Sequence, residues 1–102
     1  MNIFVEGTLP ISIKGLNDQP NLKLKKFLMK PMTVQQALDL QSKLKPEQYI
    51  AIAEICEQVE MIDDGGQSCP LTYEALMSSS SQNLNYLTTK KAELDAKEQA
   101  ES

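Results

Sequence analysis

The chain has 102 residues, of which 41% are hydrophobic and 5% aromatic, so we expect one domain with an aliphatic core. Its 14 acidic residues outnumber its 10 basic ones, giving a net charge of −4, and all ten basic residues are lysines. Because nucleic acid is bound mainly through clustered Lys and Arg, this composition argues against nucleic acid as a partner.

The sequence also lacks the marks of a membrane or exported protein. No run approaches the ~18 consecutive apolar residues of a membrane span. The first residues, MNIFVEG, have neither the charged region nor the long apolar region of a signal peptide. We therefore expect a cytoplasmic protein with no membrane partner, in which Cys56 and Cys69 stay reduced.

Residues 9–29 carry the alternation of apolar and polar residues that is typical of half-buried strands. The segments ISIKG and NLKLK show this alternation, and the turn formers of GLNDQPN lie between them. The pattern predicts a β-hairpin with a loop of about six residues. A change of phase at Lys25-Lys26 predicts a β-bulge there, and Ile3 and Val5 are expected in a short preceding strand.

Two helices are predicted next. Thr33 and Gln36 have the spacing of a capping box, which predicts the start of a helix over residues 34–44. Pro46 suits the first position of a second helix over residues 46–61, although a single helix with a sharp break fits the same pattern. This second segment is apolar over more than half its circumference. We expect it to be central, covered on one side by the sheet and on the other by a helix or a partner.

The last third of the chain contains one loop and two further predicted helices. The segment DDGGQSCP at 63–70 is a loop, and Thr72 is the expected N-cap of a short helix over 72–77. Ser79, with a glutamine three residues later, is the predicted N-cap of a final helix over 80–97. The polar, alanine-rich residues 96–102 are expected to fray.

Together these elements predict an α+β fold. An N-terminal antiparallel β-hairpin is followed by three to four α-helices packed on it, and residues 1–95 form a single domain.

No residue pattern predicts catalysis, a cofactor or a metal. The chain contains no histidine, which removes the commonest general base and a common metal ligand. Cys56 is expected as a small core residue, and Cys69 as a loop thiol. The segment Asp63-Asp64-Gly65-Gly66 has neither the ligand spacing of a calcium loop nor the glycine pattern of a phosphate loop. We therefore expect a protein that is not an enzyme.

The apolar residues of two helices have two possible roles. They either form the domain's own core or present a surface that holds a helix of another protein. If they bind a partner, the contacting residues are expected to be Leu84, Leu87 and Leu94 of the final helix, with Ile50 and Ile55 of the central one.

The order of the segments resembles the small tail assembly chaperones of Mu-like contractile-tailed bacteriophages and prophages. The matching residues are Lys30-Pro31, Leu71-Thr72, Glu74, Leu76 and Leu84. The resemblance extends from about residue 11 to 95, and its motifs are structural. The family often has an acidic residue before the last helix where this chain has serines, and a serine N-cap keeps that role.

The resemblance implies a function. A chaperone of this kind binds the tape-measure protein and keeps it soluble in the host cytoplasm until tube subunits polymerise around it. The tail tube protein is a further possible partner, and self-association is open. The alternative is a minor structural tail or virion protein, or a small acidic interaction module retained in the particle.

Overall fold

The computed structural model describes residues 3–16, 19 and 21–101. The helices and strands are, in chain order, β1 (Val5–Lys14), β2 (Lys23–Met29), α1 (Val34–Lys43), α2 (Ile50–Gln58), β3 (Val59–Ile62), β4 (Ser68–Pro70), α3 (Tyr73–Met77) and α4 (Ser81–Glu101). The fold is α+β as predicted, with an N-terminal hairpin and four helices.

The four strands form one antiparallel sheet in the order β1-β2-β3-β4. The predicted hairpin is β1 and β2, and the residue expected in a separate strand, Val5, begins β1 itself and faces Met29. Gly15 follows β1 with a φ of 78°, a conformation that glycine adopts without steric cost. The part of the predicted loop at residues 17, 18 and 20 lies outside the described residues.

The predicted bulge lies at the expected place along β2. Thr8 pairs with Lys26 and Ile13 with Leu24, so four residues of β1 lie opposite the single residue Lys25. The additional residues therefore belong to β1, which includes a proline at position 10. Because proline cannot donate to a ladder, an interruption of regular pairing suits this segment.

The predicted helix over residues 46–61 is wrong at both ends. α2 begins at Ile50, because Pro46 lies in a turn closed by the Gln48 N–H donating to the Lys45 carbonyl at 3.0 Å. Proline fits the second position of such a turn as well as the first turn of a helix. At the other end, residues 59–62 leave the helix and form β3, which pairs with Lys26–Met29 of β2. β4, at Ser68–Pro70, lies in the segment that was predicted as a loop.

The helices cover one face of the sheet. α4 packs along β1 and runs antiparallel to it, because Asn83 in its first turn accepts a hydrogen bond from Ile11 N–H while Lys97 near its end donates to the Phe4 carbonyl. Gly7 allows this approach: a Cβ there would lie 2.8 Å from Phe27 and 2.9 Å from the Tyr86 hydroxyl. The core is formed by Val5, Leu9, Ile13, Leu16, Leu24, Phe27, Met29, Ile52, Ile55, Val59, Met61, Leu71, Leu76, Leu87 and Leu94.

The serine joint between α3 and α4 caps the final helix one residue later than predicted. The Oγ of Ser80 accepts a hydrogen bond from the Gln82 N–H at 3.2 Å, so Ser80 fills the role assigned to Ser79. Ser79 instead donates its hydroxyl to the Leu76 carbonyl at 2.8 Å, at the end of α3. α4 then continues to Glu101, through the segment expected to fray, and residue 102 lies outside the described residues.

Candidate protein-binding surface

α1 is the least covered helix of the fold. Its start is well defined: Thr33 Oγ1 accepts from the Gln36 N–H at 3.1 Å, and the Gln36 side chain accepts from the Thr33 N–H at 2.9 Å, which is the predicted capping box. Yet none of its ten residues, all of them described, is buried. α1 packs mainly against α2, so local capping holds it in shape while tertiary packing covers little of it.

The apolar stripe of α1 is wider than the part that packs. Ala37, Leu40 and Leu44 are half-buried, and the two leucines line a recess together with residues of α2. Val34 and Leu38, one helical turn apart, are 78% and 56% exposed. We call these two residues the α1 ridge. A helix whose apolar stripe is only half covered offers the remainder to another surface.

A groove of about 350 Å³ opens beside α1, on the side that carries Leu40 and Leu44. Its apolar lining comes from α1, α2 and the segment that leads from β4 into α3, and we call it the α1–α3 groove. The phenol of Tyr73 helps to fix its shape, because the hydroxyl accepts a hydrogen bond at 2.9 Å from the Tyr49 N–H at the start of α2. The apolar lining residues are Leu40, Leu44, Ala53, Cys56, Leu71 and Tyr73.

The groove is lined by two charged side chains of opposite sign. Glu57 lines it, together with the single lysine Lys43. Burial, with a further contribution from the negative charge of Glu74, raises the pKa of the Cys56 thiol to about 12. Cys56 is therefore a protonated, half-buried lining residue, in agreement with its predicted packing role.

The five predicted partner-binding residues do not form one exposed surface in the structure. Leu87, Leu94 and Ile55 are core residues, 0%, 0% and 3% exposed, so they have no surface to offer a partner in this fold. Leu84 is half-buried against that core. Ile50, at the start of α2, is 37% exposed and is the member of the set that stays accessible.

The edges of the sheet are poorly suited to adding a strand from another chain. On β1, Pro10 lacks a backbone donor, and the neighbouring Ile11 N–H is bound by Asn83 Oδ1 at 3.1 Å. On the opposite edge, β4 has three residues and ends at Pro70. Short edge strands and prolines are features that disfavour edge-to-edge pairing.

The open face of the sheet carries mainly polar and charged residues around the half-buried Leu28 and Ile62. Glu6, Thr8 and Lys26 are exposed there, and Lys30 lies 3.9 Å from Glu60 as an ion pair. Antiparallel sheets commonly have one packed and one solvated face. The α1 ridge and the α1–α3 groove are therefore the stronger candidates for a binding surface.

Two searches of the described residues bear on other kinds of site. Among residues 3–16, 19 and 21–101, no cluster of three or more His, Cys, Asp or Glu side chains has a metal-binding arrangement. Within the same residues, no helix combines the length and apolarity needed to cross a membrane.

Sequence reasoning placed the partner surface on α4 and α2 and missed α1. The signal was present, because Val34 and Leu38 repeat at a spacing of four beside Ala37 and Leu44. The sequence pattern does not show which residues of the apolar stripe α2 covers. Comparisons of this chain with known protein families, with curated proteins and with solved structures found no match.

Proposed function

We propose that this chain is a phage tail assembly chaperone that binds the tape-measure protein and keeps it soluble in the host cytoplasm during tail assembly. The proposal combines the resemblance of the segment order with one structural observation. The α1 ridge leaves a 78%-exposed valine and a 56%-exposed leucine on a helix that contains no buried residue.

The exposed apolar surface suits reversible binding of an apolar helical chain. An amphipathic helix binds a groove through apolar side chains spaced three or four residues apart. The ridge provides one apolar row, and the α1–α3 groove provides a recess beside the same helix. A net charge of −4 favours solubility of the free chaperone.

The proposal is tested by co-expression with the tape-measure protein of the same locus. We expect the wild-type chain to keep that protein in the soluble fraction and to co-purify with it. Val34→Ser/Leu38→Ser should lose both effects, since it removes the apolar ridge without touching the core. Ile11→Ser is the matched control, because Ile11 is also exposed (44%) but lies on β1. Equal solubility of the tape-measure protein with and without this chain would contradict the proposal.

The alternative role, a structural protein of the particle, is separated by mass spectrometry of purified mature tails. A chaperone acts before the tail is complete and should be absent from it. Peptides of this chain at the abundance of a tail component would favour the structural role instead.

A further inference from the structure

The face of the sheet that the helices leave open has a basic end. Leu24 of β2 is buried in the core, so its neighbours Lys23 and Lys25 extend from the opposite, open face. Lys14 of β1 lies directly opposite Lys23, and Lys26 lies on the same face at the bulge. All four of these side chains are exposed. We call them the lysine cluster: Lys14, Lys23, Lys25 and Lys26.

Few carboxylates are available to neutralise the lysine cluster. Residues 14–26 contain its four lysines and one acidic residue, Asp18, which lies outside the described residues. The turn after β3 adds Asp63 and Asp64, but Asp63 Oδ1 already accepts hydrogen bonds from two N–H groups of that turn, each at 2.9 Å. No lysine of the cluster forms an ion pair with a described residue. The positive charge of this end is therefore left to solvent.

The opposite end of the open face has a different balance of charge. There Glu6 and Glu60 lie on either side of Leu28, and Lys30 pairs with Glu60 at 3.9 Å. A charged segment laid along β2 would therefore have one favoured orientation, with its acidic residues at the lysine cluster.

Two lysines of the cluster are also held against each other by the strand register. Directly opposed residues on antiparallel strands have Cβ atoms about 4.5–5.5 Å apart, and like charges in such a pair destabilise the sheet. Lys14 and Lys23 form such a pair. The free protein thus contains an unfavourable contact that an anionic group bound between the two ammonium groups would relieve. A solvated row of separate lysines would have no such contact to relieve.

From this arrangement we infer that the lysine cluster binds an extended acidic segment of another protein, with Asp or Glu at alternate positions. Lys23 and Lys25 lie two residues apart on a strand, roughly 6.6–6.8 Å, which is also the spacing of alternate side chains in an extended partner. The inference goes beyond the proposed function and does not rest on it, because the cluster lies on the open face of the sheet, apart from the α1 ridge.

The charge distribution of the whole chain favours a short protein segment over nucleic acid. Residues 1–30 have a net charge of +3 while the whole chain has −4, so the remaining residues carry −7. This charge would repel a long polyanion, whereas a short segment contacts only the hairpin. The cluster also contains no arginine, the residue that most often reads phosphate and guanine in pairs of hydrogen bonds.

The test uses synthetic peptides as probes. One peptide of about ten residues, roughly 33 Å long when extended, alternates glutamate and serine. Two others have lysine or glutamine in place of every glutamate. Binding to the full chain is followed by NMR titration of its backbone amides at low and physiological salt, which suits weak contacts and locates them.

We expect the Glu/Ser peptide to bind at least about tenfold more tightly than the other two, with an affinity that falls as salt rises. The amide shifts should change in β1 and β2. Equal binding of the glutamate and glutamine peptides would overturn the charge preference. Shift changes confined to the helices, or no binding at all, would overturn the assignment to the lysine cluster.

Lys23→Glu separates binding from folding. It should weaken binding of the Glu/Ser peptide by about tenfold and yet raise Tm, because its pair with Lys14 becomes attractive. Lys45→Glu is the matched control, since Lys45 is exposed beyond the end of α1, pairs with no described residue and changes the net charge equally. It should change affinity by less than about twofold. Equal losses in the two variants would overturn the location, and a lower Tm for Lys23→Glu would overturn the unfavourable contact on which it rests.

Two further measurements separate other anionic partners. Duplex DNA that binds more tightly than the Glu/Ser peptide would overturn the inference in favour of nucleic acid. Salt-sensitive self-association of the free chain that Lys23→Glu abolishes would assign the cluster to a second copy of this chain instead. We expect neither result.

Discussion

At the scale of single residues, Lys91 shows how a charged side chain is accommodated in a row of leucines. It occupies a position where the spacing of Leu84, Leu87 and Leu94 predicts another leucine. Its ammonium group donates to Gln58 Oε1 at 2.9 Å and lies 3.6 Å from a Glu54 carboxylate oxygen. The buried Gln58 in turn donates to the Lys30 carbonyl at 3.0 Å. This chain of hydrogen bonds joins α4, α2 and the end of β2.

We therefore predict that Lys91→Met lowers the free energy of unfolding by about 1–2 kcal/mol, because Gln58 Oε1 loses its donor in a buried position. Lys90→Met is the control, since Lys90 pairs with Glu93 and lies 5.7 Å from the centre of the Tyr86 ring, and the loss of these contacts leaves no buried acceptor without a donor. It should cost less than about 1 kcal/mol. Urea denaturation of the two variants measures both values. Equal losses of stability in the two variants would mean that the hydrogen bond from Lys91 to Gln58 stabilises the fold no more than the contacts of Lys90 do.

The Cys56 thiol predicts a pH dependence of stability. Its pKa is raised from 9.0 to about 12 in the folded protein by burial and by Glu74. Above pH 9 the unfolded chain therefore loses a proton that the folded chain keeps until about pH 12. Stability from this group is complete below pH 9 and declines as the pH rises across that interval.

The measurement is urea denaturation of the wild type and of Cys56→Ala between about pH 8 and pH 10. The wild type should lose stability over this range, and the variant should lose less, whatever its stability at the lower pH. Identical slopes for the two proteins would show that the thiol does not carry this effect.

At the scale of elements, the start of α4 depends on one member of the serine run. Ser80 accepts the hydrogen bond from Gln82 N–H, whereas the next residue, Ser81, is exposed within the first turn. We predict that Ser80→Ala destabilises the protein by about 1 kcal/mol, within the range of about 0.5–2 kcal/mol for N-cap replacements. Ser81→Ala should be close to neutral. Thermal unfolding of both variants distinguishes the cap from its neighbour, and the opposite order of stability would contradict the assignment.

The same serine run shows which part of an element can be predicted from local pattern. A helix start after α3 is predictable, because serines followed by helix-forming residues indicate an N-cap. The sequence does not predict which serine acts as the cap, since Ser79 donates its hydroxyl to the Leu76 carbonyl at the end of the preceding helix. The Thr33 cap was predicted correctly because no competing hydroxyl lies beside it.

β3 shows the corresponding limit for strands. The segment Val59–Ile62 continues the apolar pattern of α2 and also alternates with a period of two, so both assignments fit the residues. Pairing with Lys26–Met29 of β2, about thirty residues earlier in the chain, decides between them. β-propensity depends on such neighbours, which is why the hairpin was predictable and the third strand was not.

At the scale of the whole molecule, the groups that fold the chain and the groups that we assign to binding are separate. The leucines first considered for binding, Leu87 and Leu94, are fully buried between α4 and the sheet. The α1 ridge lies on a helix outside that core. If the chain binds a partner as we propose, this arrangement lets it release the partner without exposing its own core, because the ridge residues are not part of that core.

This separation makes a quantitative prediction. Val34→Ser/Leu38→Ser should change the free energy of unfolding by less than about 1 kcal/mol in total, because both side chains are exposed in the free protein. Leu87→Ala or Leu94→Ala should each cost about 2–5 kcal/mol, since each leaves a cavity in the core. Urea denaturation measures stability, and co-purification with the tape-measure protein measures binding in the variants that remain folded. Loss of binding with retained stability in the ridge variant is the expected result.

A ridge variant as unstable as the core variants would instead mean that the side chains of Val34 and Leu38 contribute to the stability of the fold. The ridge would then not be a surface reserved for binding.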